Sequence, residues 1–151
     1  MTCVPTGRLT AIWRNGEMEN PQYLLDTNIC ISLLKDVYGI RQKVMGVGLS
    51  NCYVSEITIA ELFYGASKSN RKEERLQDVF EILKIFKVLP IYHSLELYGD
   101  VKAHLENSGM RIDDFDLLIG TSAVFADMIM VTGNTRHFAR IPDIILENWM
   151  E

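Results

Sequence analysis

The stretch that most constrains this chain is Tyr23-Leu24-Leu25-Asp26-Thr27-Asn28. A short apolar run meets an acid, then two small polar residues, then the helical apolar pattern of Ile29 to Lys35. Bounded by turn-formers, such a run reads as a buried strand. Its polar trio falls where strand gives way to helix, and in parallel α/β sheets this carboxyl edge is where ligands and catalytic groups gather. Two readings of Asp26 are open at this point: a helix cap or a member of a polar site.

Further elements follow in alternation. Val37 to Val47 reads as a second helix closed by Gly48, and Cys52-Tyr53-Val54 as a second strand. Ile59, Leu62, Phe63 and Ala66 form an i, i+3, i+4, i+7 stripe with Glu61 off it. Leu76, Val79, Phe80 and Leu83 form the face of another amphipathic helix. Val88 to Ile91 reads as a third strand, placed at a sheet edge by Pro90. Ser94 is a candidate N-cap for a helix through Leu105 that stops at Gly109. Asp113 or Asp114 opens a helix that is apolar on most sides through Phe125, which predicts burial. Ile129–Val131 reads as a fourth strand and Ile144–Leu146 as a fifth. Strands separated by helices give a three-layer α/β/α domain around a mostly parallel sheet of four or five strands. That domain covers residues 22–151. Residues 1–21 lack apolar periodicity and read as a loose extension, with Leu9 to Trp13 as a brief ordered turn and Met18 as an alternative start.

Composition narrows the class. No apolar run reaches the roughly 18 residues of a membrane span, so no membrane is expected. The three cysteines, Cys3, Cys30 and Cys52, form neither a metal-ligand pair nor a disulfide framework, which suits a reducing cytoplasm. A net charge of −5 argues against a protein that coats nucleic acid non-specifically. It is compatible with a nuclease whose acids surround cations.

Three positions join Asp26. Glu61 lies on the helix after the second strand, Asp116 in the first turn of the apolar helix, and Asn134 directly after the fourth strand in Thr132-Gly133-Asn134. Each has a plain structural alternative as a dipole partner, solvated face or cap. Together they are hard to explain that way, because capping does not account for Glu61. Clustered carboxylates raise one another's pKa and need a cation to ionise together. All-oxygen ligands select a hard ion, Mg²⁺ or Mn²⁺, which can activate water against a phosphodiester.

Leu24-Leu25-Asp26-Thr27-Asn28, Glu61-Leu62-Phe63-Tyr64-Gly65, Asp116-Leu117-Leu118-Ile119, and Val131-Thr132-Gly133-Asn134 through Phe138 together resemble the PIN domain. More narrowly they resemble the VapC-type toxins of bacterial toxin–antitoxin pairs. The resemblance runs from Tyr23 to Leu146. It implies an endoribonuclease acting on RNA, a homodimer, and a cognate antitoxin that inserts a peptide into the active site. It also implies metal-binding roles for Asp26 and Asp116, with Glu61 completing the site and orienting water. Asn134 matches a fourth position that the family fills with Asp or Asn. Thr27, Thr132 and Asp114 are expected to support these groups. Arg136, His137 and Arg140 are candidate contacts to RNA phosphates. The neutral Asn134 and the long leader depart from the family pattern.

Two other functions compete. A phosphatase with Asp26 as nucleophile wants a second Asp where the chain has Asn28. A catalytically silent module binding RNA or a partner is the alternative that Asn134 leaves open.

Overall fold

The computed structural model describes residues 12–14 and 17–151. A five-stranded, fully parallel sheet runs through it, formed by β3 (Tyr23–Leu25), β4 (Cys52–Ser55), β5 (Lys87–Leu89), β6 (Ile129–Val131) and β7 (Leu146–Glu147) in the order β5-β4-β3-β6-β7. It is preceded by an antiparallel pair, β1 (Ile12–Arg14) and β2 (Glu17–Glu19). The helices are α1 (Thr27–Lys35), α2 (Ile40–Val47), α3 (Glu56–Lys68), α4 (Lys72–Ile85), α5 (Leu95–Asn107), α6 (Asp114–Phe125) and the short α7 (Thr135–Phe138). This is the α/β/α architecture expected from the alternation of strands and helices.

The central strand shows why the layers form. Side chains alternate across a strand, so Tyr23 and Leu25 enter one core with residues of α1 to α4, while Leu24 enters the other with residues of α5 to α7. All three are 2% exposed or less, which explains their continuous apolar run: both faces of a parallel sheet are covered. β3 pairs with β4 and β6 in register, Leu25 opposite both Val54 and Val131. Three strand ends are thereby aligned at one edge. β5 lies at the sheet's margin, as Pro90 suggests.

Several elements depart from the sequence reading. The first helix begins at Thr27 rather than Ile29, because the Asp26 side chain accepts the Thr27 N–H and caps it. The second begins at Ile40, after Gly39 in a left-handed conformation. The last strand is shifted to Leu146–Glu147. Ser94 does not cap α5 through its side chain, since its hydroxyl donates to Ile91 O at 2.8 Å inside the preceding turn. Phe115 and Phe125, near the two ends of α6, are 48% and 55% exposed, while the buried residues of the helix lie between Leu117 and Ala123. The N-terminal stretch, expected to be a loose extension, contains the β1–β2 pair, with Ile12 opposite Glu19. Its remaining residues, 1–11 and 15–16, include most of the expected turn and lie outside the described residues.

Two helical glycines have opposite surroundings. A Cβ on Gly99 would meet no heavy atom within 4 Å, whereas one on Gly120 would lie 2.3 Å from Ile141 Cδ1 and 3.1 Å from Phe138 Cδ1. Gly99→Ala is expected to stabilise by about 0.5–1 kcal/mol through helix propensity. Gly120→Val is expected to destabilise by about 1–3 kcal/mol by overpacking α6 against α7 and the segment after it. Urea denaturation of the two variants measures both signs, and equal shifts would contradict this packing.

Candidate active site

Asp26 stands at the carboxyl end of the central strand. Its N–H still joins the ladder to Val131 O at 2.9 Å, while its side chain turns into the edge of the sheet and is 5% exposed. Both carboxylate oxygens are engaged. Oδ1 accepts the Thr27 N–H at 2.8 Å, and Oδ2 accepts the Thr132 hydroxyl at 2.7 Å. Burial pushes the Asp26 pKa up, and these two donors oppose the shift by stabilising the anion. The cap and the polar site, which the sequence left as alternatives, are the same carboxylate.

Thr27 joins a second acid to the first. Its hydroxyl donates to Glu61 Oε1 at 2.8 Å, so one residue offers its backbone N–H to Asp26 and its side chain to Glu61. Thr58, fully buried one turn before Glu61, places its Oγ1 3.2 Å from Thr27 Oγ1. Burial raises the Glu61 pKa; the Thr27 bond works against this, and the charges of Asp26 and Asp113 add to it.

Asp116, half-buried in the first turn of α6, is pushed up to about 6 by burial first and then by Asp26, Asp113 and Glu61. The three acids therefore share one electrostatic environment. Asp113 belongs beside them. It caps α6 by accepting the Phe115 N–H at 3.1 Å, and its charge raises both Glu61 and Asp116. Sequence reading gave Asp113 only the cap. The available signal was its i, i+3 spacing from Asp116, which puts both acids on one helical face.

Asp114 points elsewhere. It bonds Lys102 Nζ at 2.8 Å and the Tyr98 hydroxyl at 3.0 Å, and these donors hold its pKa below the usual carboxylate value. It secures α6 to α5 and is not among the groups bonded around Asp26, contrary to the supporting place expected for it.

Thr132 and Asn134 meet the site from β6. The Thr132 hydroxyl donates to Asp26 and accepts the Asn134 N–H at 2.9 Å, locking the turn to the acid. Gly133 gives this turn clearance, since a Cβ there would lie 2.6 Å from Met150 Sδ. Asn134 precedes α7 but makes no side-chain cap bond, and its amide nitrogen lies 3.0 Å from His137 Nδ1. If that nitrogen donates to the imidazole, the amide oxygen is left available. Arg136 is exposed, and Arg140 Nη1 donates to Arg111 O at 2.7 Å, tying this segment to the approach to α6.

The donor set is oxygen-only, which fits Mg²⁺ or Mn²⁺ rather than a soft metal. Among the described residues, no three acid, imidazole or thiol side chains converge as a ready-made cage. A hard cation that keeps several waters suits this, because Mg²⁺ is usually held by one or two carboxylates.

Acids with raised pKa values bind protons more tightly in the folded state. Between the unfolded value near 4 and about 6 for Asp116, folding therefore loses stability as pH rises. The cation-free protein is expected to melt at a lower temperature at pH 7 than at pH 5 through this group. Asp116→Asn should flatten that dependence and raise the pH 7 melting temperature. An unchanged pH profile in the variant would remove Asp116 from the acidic cluster.

The PIN domain model matches residues 23–144. Ribonuclease VapC2 of Rickettsia felis is 34% identical over 131 residues, covering 84% of this chain and 97% of that protein. The tRNA(fMet)-specific endonuclease VapC of Salmonella typhimurium is 32% identical over 129 residues, covering 85% and 98%. Among solved structures, VapBC2 from Rickettsia felis bound to a fragment of its promoter DNA superposes with a TM-score of 0.78 at 34% identity, covering 84% of this chain and 98% of that one. DNA-bound VapBC from Salmonella typhimurium gives 0.79 at 32% identity, covering 85% and 98%. The chain belongs to the PIN domain family, with VapC ribonucleases among its relatives.

Proposed function

We propose that this chain is the toxin of a type II toxin–antitoxin pair, an endoribonuclease that hydrolyses RNA with a divalent cation. The observation that carries this reading is the joined set of polar groups at the sheet edge. Asp26 is buried and hydrogen-bonded, Glu61 is linked to it through Thr27, Asn134 is linked through Thr132, and Asp116 lies in the same field. Relatives named as ribonuclease and endonuclease support the same chemistry.

In this reading Asp26 and Asp116 hold Mg²⁺ or Mn²⁺, with Glu61 beside them. When bound, the cation supplies a water of lowered pKa and neutralises charge on the phosphodiester. Thr132 and Thr27 donate to the two oxygens of Asp26, orient it for that task and offset part of the upward shift from burial. Glu61, fixed at one oxygen by Thr27, orients water with the other. Asn134 offers a neutral oxygen and so favours one tightly held ion over two. Arg136, His137 and Arg140 meet the RNA backbone at the mouth of the site.

The partners follow from the same reading. A cognate antitoxin silences the enzyme, and solved relatives are VapBC assemblies. An apolar groove of about 490 Å³ between α1, α2 and α4, lined by Leu33, Leu34, Val44 and Ile82 and edged by Arg41 and Asp78, supports a protein partner. Tyr64 and Phe80 at 64% and 44% exposed support a homodimer surface better than a core role. Among the described residues no helix is long and apolar enough to cross a membrane.

Purified protein is expected to cleave RNA with Mg²⁺ and to stop on chelation. Asp26→Asn and Asp116→Asn should each lower cleavage about 100-fold or more with circular dichroism unchanged. Wild-type rates in either variant would contradict the assignment of the acids. Asn134→Asp should lower the Mg²⁺ concentration for half-maximal cleavage and Asn134→Ala should raise it. Superimposable titrations of the three proteins would exclude Asn134 from the site.

A further inference from the structure

The Thr27 hydroxyl has two neighbours and one proton. Glu61 Oε1 lies 2.8 Å away and Thr58 Oγ1 3.2 Å away. A carboxylate accepts only, so an ionised Glu61 takes the Thr27 proton, and the contact with Thr58 must run from Thr58 to Thr27. The alternative direction sends the Thr27 proton to Thr58. It leaves Glu61 facing a hydroxyl lone pair unless Glu61 is itself protonated, and it leaves the Thr58 proton without this acceptor. Thr58 is fully buried, so bulk water cannot supply a substitute. Thr27 Oγ1 is the hydrogen-bond partner of the Thr58 hydroxyl, and no buried side-chain polar atom among the described residues lacks a partner.

Backbone placement makes this direction consequential. Thr58 and Glu61 are three residues apart on α3 and so share a face. Thr27 opens α1 and also donates its N–H to Asp26 Oδ1. A single rotamer of Thr27 therefore sets the separation of two acids that come from different elements. A buried donor aimed at its oxygen selects that rotamer.

We propose that Thr58 is a positioning residue of the active site: its buried hydroxyl donates to Thr27 Oγ1 and commits the Thr27 proton to Glu61. The hydroxyl chain is then one-way, Thr58 to Thr27 to Glu61. It fixes one Glu61 oxygen and leaves the other turned to the reaction. The catalytic part of this inference rests on the nuclease reading above; the hydroxyl chain itself does not.

Thr58→Val keeps the shape and removes the donor, while Thr58→Ser restores it. Steady-state cleavage should show kcat about tenfold lower in Thr58→Val with KM for RNA unchanged, and Thr58→Ser within about twofold of wild type, the scale of a lost outer contact. In a Thr27→Val background, adding Thr58→Val should cost nothing more, because the two act as one unit. Independently of activity, three-bond NMR couplings should give one Thr27 χ1 rotamer in wild type and Thr58→Ser, and a mixture in Thr58→Val. Thr58→Ala takes the place of the valine variant if that fails to fold. Equal losses in the valine and serine variants, additive losses in the double variant, or an unchanged Thr27 rotamer would overturn the proposal. If wild type does not cut RNA, the nuclease reading fails, and the rotamer measurement still decides the hydroxyl chain.

Discussion

A carboxylate held at the end of a buried strand is the constraint on which the rest of the site depends. At 5% exposure Asp26 has lost most of its hydration, and an ionised group so placed is costly unless donors replace the water. One backbone N–H and one hydroxyl do so, at 2.8 and 2.7 Å. Burial nevertheless outweighs them, because the net direction of the shift is upward. The residual strain is electrostatic and is shared with Glu61 and Asp116. In the reading proposed above, a divalent cation would relieve it for all three together.

The strand order makes this meeting possible. Asp26 and Thr132 are far apart in sequence, yet β3 and β6 are neighbours in register, so the residues just past Leu25 and Val131 lie side by side. β4 on the other flank leads directly into α3, and Glu61 enters from there one turn beyond Thr58. α6 supplies Asp113 and Asp116 from the opposite layer. The two apolar cores on either face of the sheet hold these elements in place. The polar groups gather at the edge, where the strands give way to helices.

Much of this is legible in the sequence, for definite reasons. A triplet as apolar as Tyr23-Leu24-Leu25 fits a strand covered on both faces, and the acid that ends it marks the edge. The same pattern at Ile129–Val131 followed by Thr132 marks its neighbour. Asp114 illustrates what is not legible. It is two residues from Asp116, roughly 200° around an α-helix, and therefore faces Lys102 and Tyr98 instead. Asp113, three residues away, shares the face. Thr58 is invisible for another reason: a threonine in a helix signals nothing until the helix across from it supplies a hydroxyl. Phe125 misleads because apolar character predicts burial on average, while a residue near a helix end can stay exposed.

If the acids repel one another in a partly dehydrated site, a hard cation should remove the penalty. The most direct measurement is the titration of the Asp116 carboxyl carbon by NMR, with and without Mg²⁺. A midpoint near 6 is expected in the cation-free protein, with a clear downward movement when Mg²⁺ is added. An ordinary carboxylate midpoint near 4, unmoved by Mg²⁺, would contradict it.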